Sequence, residues 1–291
     1  MPRVAYVNGR YVPHRDAAVH VEDRGHQFAD AAYEMLMVID GGLLDFAPHM
    51  ERLHRSLGAL SIAPPMSDSA VRVVIHELLR RNRLKNASIY IQVSRGVAPR
   101  DHAFPQTRTP PGLVMVARRM DYALIARRQS QGVSVITLAE TRWARPDIKS
   151  TSLLANVLAK QEARDAGAYE ALFVDADGMI TEGTASNIWM VAADGTLVTR
   201  ALDQSILAGI TRQAVLSVTA ARQMALEERP FSRAELKDAA EVFLTSSTNF
   251  VMPVTEVDGQ KIGAGKNIGK PGPVTNSVIE AHREHVQKET T

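Results

Sequence analysis

Lys149 stands where the sequence predicts a change of chain direction. In RPDIKSTSLL it lies between a proline-marked turn and an apolar helical stretch, next to Ser150 and Thr151, which favour helix starts. A lysine amine can form a Schiff base with an aldehyde when its pKa is lowered or its position is fixed. Judged on this stretch alone, a surface lysine at a helix start is the commoner case. A chemical role for Lys149 therefore needs partner residues elsewhere in the chain.

Glu182 is a second residue with chemical potential. In MITEGTASNIWM it follows a strand-like run and precedes the small polar residues Thr184 and Ser186. A carboxylate held in such a site can accept a proton from a ring nitrogen. By itself, a glutamate in a turn is again the commoner interpretation.

Two segments and one arginine have the properties of a phosphate site. LAGITR, residues 207–212, places Gly209 before a predicted helix whose first amides belong to Ile210 and Thr211, and free amides at a helix start bind anions. TSSTN, residues 245–249, is rich in hydroxyl groups, and Arg52 in HMERL supplies a planar guanidinium. None of these features is specific alone, because hydroxyl-rich loops usually cap turns.

The elements that must position these residues fall into two blocks. VAYVNGRYV and YEMLMVIDGGLLDF predict hairpins that turn at Asn8-Gly9 and at Asp40-Gly41-Gly42, and helical and strand-like stretches follow in each half of the chain. We predict an α+β fold with a small N-terminal domain over 1–120, a linker over 121–130 and a larger C-terminal domain over 131–291 that carries Lys149. The tail EAHREHVQKETT predicts a solvated helix at most.

Composition limits the classes of function. Of 291 residues, 34 are basic and 32 acidic, and a net charge of +2 gives no electrostatic footprint for nucleic acid. The absence of cysteine excludes disulfides, thiolate metal sites and cysteine nucleophiles, and we predict no metal site. We find neither a signal-peptide core nor a run of about 20 apolar residues. We therefore expect a cytoplasmic protein with no membrane partner.

Taken together, the candidate residues describe one ligand. A Schiff-base lysine, a carboxylate for a ring nitrogen and a phosphate cradle match pyridoxal 5'-phosphate (PLP). The chain also resembles the fold-type IV PLP-dependent aminotransferases over nearly its whole length, and most closely the D-amino acid aminotransferases. The resemblance is carried, in order, by EDRGHQFADAAYE (22–34), HMERL (49–53), the stretch from EGTASNIW to LAGITR (182–212), and TSSTN.

The resemblance implies a role for each candidate residue. Lys149 is expected to be the Schiff-base lysine, and Glu182 the partner of the pyridine nitrogen. The resemblance further implies that Leu207 packs against the cofactor ring. The phosphate is expected to be held by Arg52, the backbone of Ile210 and Thr211, and Ser247.

Three residues depart from the family's pattern. Ala29 and Ala31 stand where glycines are usual. If either position needs a positive φ, an alanine there is strained. Trp189 replaces the usual Phe or Tyr, which we interpret as a change in packing.

SRGVAPRDHAFP, residues 94–105, is the most informative segment for the substrate. Arg100 and His102 are two residues apart and can converge on one side, and a guanidinium with an imidazole suits a carboxylate. The pair resembles the carboxylate-binding residues of the D-amino acid aminotransferases, and Tyr33 resembles the tyrosine that shares this role. In those relatives the pair reaches across a dimer interface, so the resemblance implies a homodimer with shared active sites.

The resemblance predicts transamination of a D-alanine-like donor to a 2-oxo acid, with 2-oxoglutarate or pyruvate as acceptor and ping-pong kinetics. Lys149 is expected to move a proton between the substrate Cα and the cofactor. Three enzymes of the same fold remain alternatives: a branched-chain L-amino acid aminotransferase, an aminodeoxychorismate lyase and an (R)-amine transaminase. A PLP-binding protein without catalysis is the alternative from a different class.

Overall fold

The computed structural model describes residues 3–290 and divides them into two compact units. The first unit contains the residues up to Met120, the segment Ile148–Ser152 and residues 289–290. Its antiparallel sheet has the strand order β2-β1-β6-β5-β3-β4. The strands are β1 (Val4–Val7), β2 (Arg10–Pro13), β3 (Ala31–Ile39), β4 (Gly42–Leu43), β5 (Ala87–Ser94) and β6 (Gly112–Arg119). Both predicted hairpins are confirmed, because Asn8, Gly9, Asp40 and Gly41 adopt positive φ values in their turns.

Three helices complete the first unit. They are α1 (Arg24–Phe28), α2 (Phe46–Ala59) and α3 (Asp68–Asn82). Helix α2 buries Met50, Leu53 and Leu57, whose spacing of three and four residues places them on one face. These side chains join Leu36 of β3 in the core of the unit. The sheet and α2 thus form the framework for the residues described below.

The second unit contains Asp121–Asp147 and Leu153–Lys288. Its mixed sheet has the order β12-β11-β10-β13-β14-β7-β8-β9, with β15 paired to β14. The strands are β7 (Val133–Ala139), β8 (Glu170–Val174), β9 (Ile180–Gly183), β10 (Asn187–Val191), β11 (Leu197–Thr199), β12 (Leu226–Glu228), β13 (Glu241–Ser246), β14 (Phe250–Val257) and β15 (Gln260–Lys261). The α+β class that we predicted is therefore confirmed.

Five helices accompany this sheet: α4 (Tyr122–Gln131), α5 (Leu154–Asp165), α6 (Ile210–Ala221), α7 (Arg233–Lys237) and α8 (Pro273–Thr290). The described part of the tail, residues 280–290, differs from our expectation at its start, where Ala281 and His282 of α8 are buried. Val278 and Ile279, just before the tail, join the core around Trp189. Between residues 3 and 290, no helix is long and apolar enough to cross a membrane.

Two segments differ from the predicted domain organisation. Residues 121–130, which we expected to link two domains, lie almost entirely in helix α4, which Asp121 caps by accepting from the Leu124 N–H. The segment Ile148–Ser152 belongs to the first unit, because Ser150 pairs with Ala32 at the edge of β3. Lys149 is therefore held by the N-terminal unit although it follows β7 in sequence.

Candidate active site

Lys149 lies in an extended segment beside β3. Its carbonyl accepts a hydrogen bond from the Tyr33 N–H at 2.9 Å, and its own N–H donates to Ser56 Oγ at 3.2 Å. Lys149 Nζ lies 4.3 Å from the centroid of the Tyr33 ring. One hydrogen bond from a backbone N–H and one to a side-chain hydroxyl thus fix the Lys149 main chain, and Tyr33 is a direct neighbour of its amine.

The expected helix start at Ser150 and Thr151 was wrong. Helix α5 begins at Leu154 with Leu153 as its N-cap, and Thr151 Oγ1 instead donates to the Ala29 carbonyl at 3.1 Å. The hydroxyl groups near Lys149 therefore attach its segment to the chain that enters β3. Lys149 is not at a helix N-terminus, so the helix dipole does not act on its charge.

Arg52 forms a buried ion pair that the sequence did not reveal. Its Nε and Nη2 donate to the two carboxylate oxygens of Glu34, at 2.7 and 2.8 Å. His49 Nδ1 lies 2.7 Å from Glu34 Oε2. Burial would raise the pKa of Glu34, but the Arg52 guanidinium and His49 outweigh it and hold that pKa well below its usual range. Glu34 therefore stays ionised and fixes the orientation of the guanidinium.

Arg100 and His102 lie in an exposed loop after β5 and contact the same aromatic ring. The guanidinium carbon of Arg100 lies 4.7 Å from the centroid of the Phe28 ring, and the His102 ring centroid lies 5.5 Å from it. The predicted convergence of the two side chains thus occurs on Phe28. The described contacts do not connect Tyr33 with either of them.

The turn between α1 and β3 contains the predicted backbone strain at one of the two alanines. Ala29 has φ +55° and ψ 25°, in the left-handed region that favours glycine. Ala31 is instead a regular residue of β3 and is fully buried. The substitution of alanine for the usual glycine is therefore strained at Ala29 only.

Glu182 lies on β9 and is buried. Its Oε2 accepts from Asn187 Nδ2 at 3.0 Å and from the Leu207 N–H at 3.1 Å. Asn187 Nδ2 also donates to the Leu207 carbonyl at 2.9 Å. The structure thus joins Glu182 to Leu207, two residues that the sequence analysis placed at one ring-binding site.

Arg142 is a further member of this group, and the sequence analysis did not identify it. Its guanidinium bridges Glu182 Oε1 and the carboxylate of Glu140, to which Nη2 donates at 2.6 Å. Burial acts to lower the pKa of Arg142, but its ion pairs with the two glutamates raise it above the usual value. Nothing near TRWARP distinguishes this arginine in sequence, because its partner Glu182 lies 40 residues away.

The amino end of α6 has the features of an anion site. Gly209 is the N-cap and, having no side chain, provides no side-chain acceptor for the first amides of the helix. A Cβ at Gly209 would overlap Asn187 Oδ1, so glycine is required for the close approach to the Glu182 group. Ile210 and Thr211 are the first two residues of α6 and are buried. Their amides therefore suit a phosphate.

Ser247 lies in the turn between β13 and β14. Among residues 3–290, no described hydrogen bond joins its side chain to Ile210 or Thr211. Trp189, the third departure from the family's pattern, is fully buried, stacks on Phe243 and donates from Nε1 to Thr245 Oγ1 at 3.0 Å. The larger ring thus has an acceptor for its N–H, which agrees with a change in packing.

The chemistry of these groups fits a phosphorylated pyridine aldehyde. The first unit supplies a lysine beside a tyrosine and an oriented arginine, and the second supplies a carboxylate with fixed hydrogen bonds close to uncapped helix amides. An amine for an aldehyde, a carboxylate for a ring nitrogen and amides for a phosphate are the donor types that PLP requires.

Comparison with known proteins agrees with this chemistry. A family model described as amino-transferase class IV matches residues 31–257. The chain is 38% identical to a D-alanine aminotransferase of Bacillus licheniformis over 283 residues, which are 97% of each chain, and 34% identical to one of Staphylococcus haemolyticus, covering 98% of this chain and 99% of that one. A crystal structure of the branched-chain amino acid aminotransferase of Escherichia coli superimposes with a TM-score of 0.91 at 27% identity, over 100% of this chain and 97% of that one. The chain therefore belongs to the class IV aminotransferases.

Proposed function

We propose that this protein is a PLP-dependent aminotransferase that acts on D-amino acids, with a D-alanine-like donor and 2-oxoglutarate or pyruvate as acceptor. The observation that carries the proposal is the similarity, over nearly the whole chain, to D-alanine aminotransferases. The Arg100–His102 pair supports it, because both side chains contact the Phe28 ring and both can donate hydrogen bonds to a carboxylate.

When bound, PLP supplies an aldehyde for the substrate amine and a ring that withdraws electrons from the substrate Cα. Lys149 would bond the aldehyde carbon in the resting enzyme and, once released, move the proton at Cα. Glu182 would hold a proton at the ring nitrogen, with Arg142 and Asn187 fixing the orientation of its carboxylate.

The phosphate would be bound by Arg52, by the amides of Ile210 and Thr211, and by Ser247. Leu207 would contact the ring. Arg52 is oriented for this role by Glu34, and the α6 amides have no side-chain cap of their own. Tyr33, Arg100 and His102 would bind the substrate carboxylate.

We also propose a homodimer in which one subunit's Arg100 and His102 serve the other subunit's site. An exposed apolar stripe on α5 supports an interface, because Leu154, Val157 and Leu158 are 72%, 59% and 63% exposed and lie on one helix face. Sedimentation of the wild type and of Leu158→Asp tests this proposal, since the charged side chain should dissociate a dimer that buries this stripe. A cytoplasmic location remains a prediction, which cell fractionation tests.

The decisive experiment is a visible spectrum of the purified holoenzyme, with D-alanine or L-alanine added separately and no acceptor present. We expect D-alanine alone to bleach the yellow band of the lysine-bound cofactor. Lys149→Ala should bind PLP more weakly and lack turnover with D-alanine and pyruvate. Turnover of this variant near the wild-type rate would overturn the assignment of Lys149.

A branched-chain L-amino acid aminotransferase is the second candidate, favoured by the match to the Escherichia coli enzyme. Bleaching by L-amino acids alone would establish it, and Arg100→Ala would then leave activity unchanged. A band indifferent to both enantiomers leaves three outcomes. Pyruvate release from aminodeoxychorismate would indicate the lyase, turnover of amines without a carboxylate would indicate the (R)-amine transaminase, and no reaction at all would indicate a PLP binder.

A further inference from the structure

Phe28, the last residue of α1, is in contact with three basic side chains from two segments of the first unit. The guanidinium carbons of Arg24 and Arg100 lie 4.8 and 4.7 Å from the centroid of its ring. The His102 ring centroid lies at 5.5 Å, with the two ring planes inclined by 54°. A guanidinium within about 6 Å of an aromatic ring is attracted by its quadrupole, and tilted aromatic rings at this distance also attract each other, so the Phe28 ring attracts both Arg100 and His102.

The loop that carries Arg100 and His102 has few other means of orienting these side chains. Arg100, Asp101 and His102 are all exposed. The loop backbone is anchored by Arg24, whose Nη1 donates to the Asp101 carbonyl at 2.6 Å. That anchor fixes the main chain of the loop and leaves the direction of the two side chains to Phe28.

Arg24 is itself held by an ion pair with Asp30. Asp30 accepts from Arg24 Nε at 2.8 Å and from Arg95 Nε at 2.6 Å. Burial would raise the pKa of Asp30, but Arg95 and Arg24 outweigh it and hold that pKa below its usual value. The left-handed backbone of Ala29 joins Phe28 to Asp30, so the aromatic ring and the ionic anchor are adjacent in the chain.

We propose that Phe28 is a positioning residue for the substrate carboxylate: its ring holds Arg100 and His102 together in the orientation that binds a carboxylate. The inference rests on the proposed function, which assigns the carboxylate to this pair. Phe28 acts through the two side chains and does not itself take part in proton transfer.

The inference predicts an effect on carboxylate binding that is separate from the chemical step. Phe28→Leu keeps an apolar side chain at the end of α1 but removes the quadrupole. We expect the KM for D-alanine to rise about threefold to fivefold, the order that follows from the loss of the exposed cation–π contact to Arg100. The kcat should stay within about twofold, because Lys149 and its neighbours are unchanged. The inhibition constant of propanoate, a carboxylate that has no amine to react, should rise by a similar factor.

Two variants serve as controls. Phe28→Tyr keeps the ring and should restore KM and the propanoate constant to near wild-type values. Phe104→Leu removes another aromatic ring of the same loop, which lies 3.7 Å under the Arg95 guanidinium. Because Asp30 already holds Arg95 at two of its nitrogens, this variant should leave the KM for D-alanine unchanged.

Arg100→Ala separates failure of the inference from failure of the proposed function. If Arg100→Ala raises the KM for D-alanine and Phe28→Leu does not, the positioning role is overturned and the proposed function stands. If Arg100→Ala has no effect on KM or on propanoate inhibition, the assignment of the carboxylate to this pair fails, and the inference fails with it. A loss of kcat and thermal stability in both Phe28→Leu and Phe28→Tyr would show that Phe28 only maintains the fold.

Discussion

Replacing Arg142 by methionine is the sharpest test of the charged group around Glu182. The Arg142 side chain is 4% exposed and is bonded to two carboxylates, Glu140 and Glu182, which are 23% and 7% exposed. Its Nη2 also donates to the Ser205 carbonyl at 3.2 Å. Methionine is shorter than arginine but keeps its unbranched apolar stem, and it removes the cation and every one of these hydrogen bonds.

The expected loss of stability follows from burial. Removing one partner of a buried ion pair typically costs about 3–5 kcal/mol, because the remaining charge is left in a poorly solvated site. Glu182 would retain its bonds from Asn187 and Leu207, and Glu140 has partial access to water. We therefore expect Arg142→Met to lower the free energy of unfolding by about 3 kcal/mol, at the lower end of that range.

The assay is urea unfolding of the cofactor-free protein, so that differences in PLP affinity do not contribute. The pH dependence gives a second readout. In the wild type, burial would raise the pKa of Glu140, but Arg142 outweighs it and lowers that pKa, so Glu140 contributes stability above its unfolded-state pKa that is lost on acidification. Without Arg142, burial alone would raise this pKa, and the variant would gain stability as Glu140 is protonated. The difference between the two proteins should therefore shrink between about pH 7 and pH 4.5.

Arg145→Met is the matched control in the same loop. Arg145 pairs with Asp147 at 2.8 Å, but its side chain is 41% exposed, and exposed pairs contribute little because water screens them. We expect no measurable loss of stability in this variant. An equal loss in both variants, or a deficit in Arg142→Met that does not shrink on acidification, would refute the reasoning.

Three further variants, two of them with a matched control variant, test other parts of the structure. Ala29→Gly should raise the free energy of unfolding, measured by urea denaturation, by about 0.5–1 kcal/mol. Glycine relieves the left-handed strain, and its greater freedom in the unfolded chain offsets only part of that gain. Ala31→Gly should instead lower the free energy of unfolding, because Ala31 is a buried residue of a regular strand. Glu34→Gln should flatten the loss of stability below about pH 4.3, because the depressed pKa of Glu34 provides stability above its unfolded value that is lost as pH falls. Gly209→Ala, whose Cβ has no room, should weaken PLP binding at least tenfold by fluorescence titration, whereas Gly58→Ala on the open face of α2 should not.

Local signals in the sequence predicted both hairpins of the first unit. Asn8-Gly9 and Asp40-Gly41 specify tight turns through residues that tolerate positive φ, and both hairpins follow from them. Such features depend on neighbours within a few residues, which is why the sequence alone identifies them.

The predictions were wrong where a residue with a local preference contacts a partner far away in the sequence. Thr151 has the properties of a helix cap, but its hydroxyl bonds the Ala29 carbonyl, 122 residues away. The tail around Ala281 and His282 has charged residues at many positions, yet one face of α8 is buried in the second unit. In both cases tertiary contacts overrode a local preference.

The candidate site was predictable only where the residues themselves carry the chemistry. Lys149, Glu182 and Arg52 stand out by residue type within motifs that resemble a family. Glu34 and Arg142 act on those residues through ion pairs that span 18 and 40 positions. A buried partner of this kind has no local signature, because its role depends entirely on which side chain the fold brings beside it.

The register of β3 determines which residues Tyr33 and Glu34 contact. Tyr33 and Glu34 are consecutive, so their side chains point to opposite faces of the sheet. Tyr33 lies beside the Lys149 amine, while Glu34 holds the Arg52 guanidinium. A shift of one residue would exchange these two faces and separate both partners. The strand is held in register by eight residue pairs with β5, from Ala31–Ser94 to Val38–Ala87, and by the bridge from Ala32 to Ser150. The left-handed turn at Ala29 lies two residues before β3 and directs the chain into the strand that contacts both the lysine and the arginine.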